Sequence, residues 1–394
     1  MELEYMIVDR DSLAVRPIAE RLLKEFAGTR ARDADPAQAA VEWSNELVRH
    51  VVEIKNPVPV SDLAALPAPF HDEIRNANRL LARANARLMP TAMHPWMNPR
   101  RETWLWDGDI YRTYDRIYDC RRHGWANLQS MHINLPFGDD GEFARLHAAI
   151  RLVLPLLPAL AASSPIADGA PTGSLDARLD AYRRICAITP HVAASVVPET
   201  VETRAEYEAK ILRPMYTEIA PHDPEGVLQH EWLNSRGAIA RFDRCAIEIR
   251  VVDVQECPQA DFAIAAATAA AVRALYDERY APLDEQQAIG TEVLHDVLLA
   301  CIRDADAAVV DDVEYLHALG MPTSRCVARD VWRSLLADVG DAHAWWRPAI
   351  DVILREGPLA RRILRAAGSR PDRDRLRVIY GALCQCLEDG RMFA

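Results

Sequence analysis

No stretch of this chain is both apolar enough and long enough to cross a bilayer. The most apolar runs are 150–166, interrupted by Pro155, Pro158 and Pro165, and 263–272, which is too short. The opening Met-Glu-Leu-Glu has neither the basic region nor the apolar core of a secretory signal. A cytoplasmic location is therefore expected, with no membrane partner. The sequence also lacks any Cys-x2-Cys pair, so its eight cysteines suit neither a zinc ribbon nor a disulfide framework, and free thiols in a reducing compartment are expected. Nor is there a basic excess. Against 58 acids stand 46 Lys and Arg, a formal net charge of −12, which excludes the counterion-displacing surface of a general nucleic-acid binder. A polyanionic small substrate stays compatible, because a divalent cation and a local arginine cluster can hold phosphates inside an acidic protein. Finally, no Ser/His or Cys/His constellation stands out, so catalysis through a side-chain nucleophile is not expected.

What is present is ample core material: half of the 394 residues are hydrophobic, enough for one large domain or two smaller ones. Residues 2–9 alternate as a strand, with Leu3, Tyr5 and Ile7 on one face and Glu2, Glu4, Met6 and Val8 on the other. Residues 130–135 and 244–254 read as further strands, the second as a central one. Helices are expected over 18–26, 64–88, 109–122 and 142–160, the last kinked by prolines. Gly138-Asp139-Asp140-Gly141 reads as a turn and 163–174 as a loop, and nearly everything after Asp261 is helical. Strands separated by long helical insertions suit α+β better than a regular β-α-β alternation.

The informative residues are acids inside apolar runs. Glu2 and Glu4 are two apart on a strand and share a face. Glu248 and Arg250 repeat the pattern between Ile247, Ile249 and Val251, and Glu53 sits in Val51-Val52-Glu53-Ile54, seven residues after Glu46. A buried carboxylate without a partner neutralises, so several converging ones need cations. Hard oxygen ligands favour Mg2+ or Mn2+. His132 and Asn134 share a strand face and form a plausible metal or phosphate contact. Arg236, Arg241, Arg244 and Arg250 make a basic cluster whose planar forks suit phosphate and carboxylate oxygens. For each acid taken singly, an edge strand facing water remains an open reading.

Taken together, six segments resemble glutamate–cysteine ligase family 2, carboxylate–amine ligases of the glutamine-synthetase-like superfamily. Glu2-Leu3-Glu4 resembles the family's Glu-x-Glu first strand, and Val52-Glu53-Ile54-Lys55-Asn56-Pro57 its Val-Glu-Leu-x-Thr-Pro segment. Ala92-Met93-His94-Pro95-Trp96 is similar to its Gly-Thr-His-Pro-Phe, and Met131-His132-Ile133-Asn134 to its Leu-His-Val-His strand. Ser163-Ser164-Pro165 with Thr172-Gly173 resembles its Ser-Ser-Pro and Thr-Gly loop, and Glu248-Ile249-Arg250-Val251-Val252-Asp253 its Glu-Val-Arg-x-x-Asp strand. The segments fall in family order across residues 1–275.

The resemblance implies an α+β fold: a glutamine-synthetase-like antiparallel sheet bent into a funnel, with helical insertions and a helical C-terminal region. It implies a catalytic domain over 1–275, with 276–394 packed on it. By the same resemblance, Glu2, Glu4, Glu46, Glu53, His132 and Glu248 surround Mg2+ (or Mn2+). His132, Asn134, Arg241 and Arg250 contact ATP, and Arg236, Arg241 and Arg250 serve the transferring phosphoryl group or the substrate carboxylate. The implied reaction is phosphorylation of the glutamate γ-carboxylate by ATP followed by attack of the cysteine amine, as in glutathione biosynthesis. Small amino acids and ATP are then the partners, and homo-oligomerisation is compatible. Three departures stand out. Asn134 replaces the second His of His-x-His, Met93 replaces the Thr before His94, and only Met1 precedes Glu2 where the family carries more residues. Three alternatives stay open: other carboxylate or amine substrates, a nucleotide-binding homologue without catalysis, and a metal-dependent hydrolase.

Overall fold

A computed structural model of the chain describes residues 1–30, 41–339 and 344–394. Its framework is a seven-stranded antiparallel sheet, and strand alternation decides what each face does. The strands are β1 (Glu2–Asp9), β2 (Glu42–Asn45), β3 (Val51–Lys55), β4 (Ala86–Met89) and β5 (Ser130–Pro136), followed, after the small hairpin of β6 (Ile166–Ala167) and β7 (Ala170–Pro171), by β8 (Ala238–Arg241) and β9 (Ala246–Asp253). The order across the sheet is β2-β3-β1-β5-β9-β8, with β4 also pairing β1. Leu3, Tyr5 and Ile7 of β1 point into the main core, where Phe70 of the helix Pro67–Ala82 meets Phe262 of the helix Pro258–Tyr276 edge-on at 4.9 Å. That second helix is rich in alanine, which lets the helices 140–153, 328–339 and 347–356 approach it closely.

The other face of β1 is divided. Met6 and Val8 are covered by Leu376, Ile379, Tyr380 and Leu383 of the C-terminal helix Arg373–Asp389, whereas Glu2 and Glu4 open onto a cavity. Residues 2–6 of β1 pair with β3 along one edge. The opposite edge forks: residues 2–3 pair with β5 and residues 6–9 with β4.

β4 corrects the sequence reading, which runs one helix from 64 to 88. The helix stops at Ala82, and Asn85 takes a left-handed conformation (φ 51°) that asparagine tolerates better than most residues. The chain then pairs with β1, and the Asn78 side chain accepts a hydrogen bond from the Leu88 amide at 2.7 Å. Ala86 and Leu88 are good helix formers, but the open edge of β1 overrides propensity. The expected turn at Gly138–Gly141 is instead a helix start: the Asp139 carboxylate caps the helix Asp140–Val153 by accepting from the Glu142 amide at 2.9 Å.

His147 on this last helix has a measurable consequence. It is buried between the rings of Phe143 and Tyr207, and neither ring nitrogen has a hydrogen-bond partner among the described residues. Burial, helped by the Arg151 charge, lowers its pKa from 6.5 to about 3. The folded state therefore stays neutral while the unfolded chain gains a proton below pH 6.5, so stability is lost as pH falls from about 6.5 towards about 3. At pH 5 this one residue should cost roughly 2 kcal/mol relative to neutral pH. His147→Leu should remove that share of the acid sensitivity, read as the difference in urea stability between pH 7.5 and pH 5; an unchanged difference contradicts the assignment.

Candidate active site

Because β-strand side chains alternate, one face of the sheet gathers polar residues from six strands. Glu4 lies directly opposite Glu53, Glu2 opposite both Lys55 and His132, Ser44 opposite Glu53, and Asn134 opposite Glu248. Between Met131 and Ile133 the β5–β9 register shifts by one, so Arg250 and Val251 of β9 face the single residue His132. Such a bulge bends the strand and re-aims its side chains, a device common beside functional sites.

The polar face lines a cavity of about 410 Å3. At its floor, His132 Nδ1 is 3.0 Å from Glu2 Oε2 and 3.8 Å from Glu248 Oε1, and its Nε2 is 3.7 Å from Glu4 Oε1 and 2.9 Å from the Ser130 hydroxyl. The Ser130 amide donates to Glu4 Oε2 at 2.7 Å, where the edge of β1 forks. Ser44 and Lys55 donate to Glu53 Oε1 at 2.6 and 2.5 Å. Arg241 Nη1 and Arg250 Nε reach Glu248 at 3.2 and 3.0 Å, and Arg244 stands 3.9 Å from Glu2.

The charges are not balanced locally. Burial alone would raise the Glu2 carboxyl, but the hydrogen bond and charge of His132 outweigh it and hold Glu2 well below the usual range. Burial would likewise strip the proton from His132, yet the Glu2 hydrogen bond and the Glu4 and Glu248 charges raise its pKa. Glu4 is raised by burial despite His132. Glu46, lining the same cavity, is pushed well above the carboxylate range by burial and by the Glu53 and Glu4 charges. Lys55, His132 and the arginines each meet one of these carboxylates, and the oxygen atoms they leave over are ligands of the kind a hard divalent cation takes. The donor set fits one: Glu2, His132 and Glu248 offer ligand atoms within 4.8 Å of one another, and Glu4, Glu53 and His132 do the same. Glu46 belongs to neither group.

Of the residues singled out in the sequence, Glu2, Glu4, Glu46, Glu53, His132, Glu248, Arg241, Arg244 and Arg250 meet in this cavity. Asn134 shares their sheet face but sits outside the lining, with its amide 3.4 Å from Glu2 Oε1. Arg236 is not brought there, which corrects its assignment to the phosphates or the substrate carboxylate. Five residues from Arg241, it falls on the opposite side of the strand line, buried in a two-pronged pair with Glu199 at 2.6 and 2.7 Å. His94 is also elsewhere, 2.7 Å from the Leu13 carbonyl. Lys55 and Ser130 escaped the sequence reading although each lies two residues from a residue it named, on the same face. The rest of the lining had no strand signal: Tyr111 and Tyr114 come from the helix Asp109–Tyr118, Arg178 and Tyr182 from the helix Ala177–Tyr182, and Trp125 and Trp232 from loop and single-turn segments.

Two solved structures share this architecture. A glutamate–cysteine ligase from Francisella tularensis in complex with AMP matches 98% of the chain and 88% of its own, with TM-score 0.60 at 12% identity. A bifunctional glutathione synthetase from Pasteurella multocida matches 98% of the chain and 51% of its own, with TM-score 0.55 at 13% identity. The fold is thus that of glutamate–cysteine ligases, mixed helix and antiparallel sheet as expected from the sequence. The family model "Glutamate-cysteine ligase family 2" matches residues 1–380. The chain belongs to that family, and so to the carboxylate–amine ligases. An uncharacterized protein of Archaeoglobus fulgidus is 34% identical over 280 residues, 70% of the chain and 74% of its own length. A putative glutamate–cysteine ligase 2 of Cupriavidus metallidurans is 30% identical over 183 residues, 46% of the chain and 45% of its own length.

Proposed function

We propose that the chain uses ATP and a divalent cation, Mg2+ or Mn2+, to join the γ-carboxylate of glutamate to the amine of cysteine. The observation that carries this is a single cavity in which carboxylates and a histidine with metal-ligand spacing adjoin Arg241, Arg244 and Arg250.

A carboxylate does not acylate an amine at neutral pH, because hydroxide is a poor leaving group. In the proposed reaction a γ-carboxylate oxygen attacks the γ-phosphorus of ATP. The bond to the β-phosphate oxygen breaks, and ADP leaves with its electron pair. The deprotonated amine then attacks the acyl carbon, phosphate departs, and the extra ammonium proton passes to a cavity carboxylate or to water. Glu2, Glu4, Glu53, His132 and Glu248 would hold the cation, with Glu46 beside them, and the cation would supply charge neutralisation at the phosphoryl oxygens. Arg241 and Arg250, which share Glu248, would give remaining N–H groups to the transferring phosphoryl oxygens. The supporting frame is residues 1–275, with 276–394 closing one end of the polar face through the helix Arg373–Asp389.

A second reading keeps the chemistry and enlarges a substrate. Tyr111, Tyr114, Trp125, Tyr182 and Trp232 line the same cavity, more apolar surface than cysteine needs. Incubation with Mg-ATP, glutamate and a panel of amines should release ADP and give a product of γ-glutamylcysteine mass. ADP release with bulkier amines or carboxylates, but not with cysteine and glutamate, selects the second reading; no ADP release with any pair removes both.

A further inference from the structure

Among the 46 Lys and Arg of the chain only three are lysines, Lys24, Lys55 and Lys210. Two of them sit on exposed helix surfaces, Lys24 paired with Glu20 and Lys210 with Glu206, each across one turn. The third lines the cavity. Arginine serves almost everywhere else in this chain, so a compact charge on a flexible stem at that one point calls for a reason.

Lys55 lies on β3 directly opposite Glu2, and its Nζ is 2.5 Å from Glu53 Oε1. The charges of Glu2 and Glu46 reach it as well. Glu53 is one of the three residues, with Glu4 and His132, that offer ligand atoms within 4.8 Å of one another. Since Mg2+ bonds oxygen at about 2.1 Å, a cation on either Glu53 oxygen would stand within about 6 Å of the ammonium. Like charges at that range in a half-buried cavity repel strongly.

Two features make the lysine the partner that yields. Its side chain is 33% exposed, against 14% for Arg241 and 25% for Arg250, which hold Glu248, so its stem has room to turn outward. Nor does Glu53 depend on it, because the Ser44 hydroxyl donates to the same oxygen at 2.6 Å and keeps the carboxylate aimed.

We propose that Lys55 is a resident counter-ion for the divalent cation, balancing Glu53 in the cation-free protein and swinging out when the cation binds. This rests on the ligase reading for the cation itself. The lysine then holds the acidic cluster together between turnovers and limits how tightly the free protein grips the ion.

The test uses the whole protein with Mn2+ alone. Acylation by a water-soluble N-hydroxysuccinimide ester, read by peptide mass spectrometry, gives a separate rate for each of the three lysines. Saturating Mn2+ should raise the rate at Lys55 several-fold and leave Lys24 and Lys210 unchanged. By calorimetry, Lys55→Gln should bind Mn2+ roughly 10-fold more tightly, because the competing charge is gone. Lys55→Arg restores the charge and should bind no more tightly than wild type. A lysine that merely aimed Glu53 gives the opposite sign, weaker binding by Lys55→Gln, and that result overturns the proposal. So do equal affinity, a Lys55 rate that Mn2+ leaves unchanged or lowers, and no Mn2+ binding by either protein. Should Lys55→Gln fail to fold, the labelling of the wild-type protein decides alone. ADP release measured separately keeps the two readings apart. Displacement without turnover removes only the ligase, and turnover without displacement removes only the counter-ion.

Discussion

Glu248→Gln is expected to lower kcat for ligation by about 10^3-fold or more while leaving the fold intact. Glu248 is where the two halves of the site meet: one oxygen lies 3.8 Å from His132 and 3.0 Å from Arg250, the other 3.2 Å from Arg241. The amide keeps the shape and one acceptor oxygen but removes the negative charge. The proposed cation would then lose a ligand, and both arginines lose the group that aims them. Initial rates of ADP release against Mg2+ concentration, with near-ultraviolet circular dichroism as the fold control, read both effects. A correctly folded variant within tenfold of wild-type turnover would remove Glu248 from the site.

The second large effect concerns stability. Asp253→Asn should cost about 3–5 kcal/mol, because it leaves a buried guanidinium without its counter-charge. The Asp253–Arg178 pair is fully enclosed, and the same carboxylate gathers the Ser163 amide and the Ser164 hydroxyl. An amide can accept from some of these donors but cannot balance the charge. Urea denaturation at neutral pH measures the loss; a change under about 1 kcal/mol would mean that Arg178 finds its compensation elsewhere. This effect is opposite in kind to that of Glu248→Gln, which spares the fold and removes the chemistry.

Glu248 was legible in the sequence, because a charged side chain at every second position of an apolar strand has few explanations, whereas Asp253 entered only as the last residue of a segment resembling the family's Glu-Val-Arg-x-x-Asp strand. Period-two alternation placed Glu2, Glu4, Glu53, His132 and Glu248 on faces, and antiparallel pairing brought those faces together. The same logic, carried two residues further, would have found Ser130 and Lys55. What failed was nearness in sequence used as nearness in space. Arg236 is five residues from Arg241, and an odd separation along a strand line reverses the side. β4 was hidden because its residues favour helix, and only the fork in β1's edge explains the strand. The aromatic wall and Arg178 come from helices and loops whose spacing looks like ordinary core, and the bulge opposite His132 has no marker in composition.

The strand order also sets when this site can exist. β1 precedes β9 in the chain by about 240 residues and is an interior strand, yet its carboxylates are completed by Glu248, on a strand that runs to Asp253. Until that segment has emerged, the nascent chain carries buried-type acids with neither their arginines nor a full ligand set. Long-range pairing of this kind delays assembly. If the proposed cation binds, its capture would report that synthesis has passed the ninth strand.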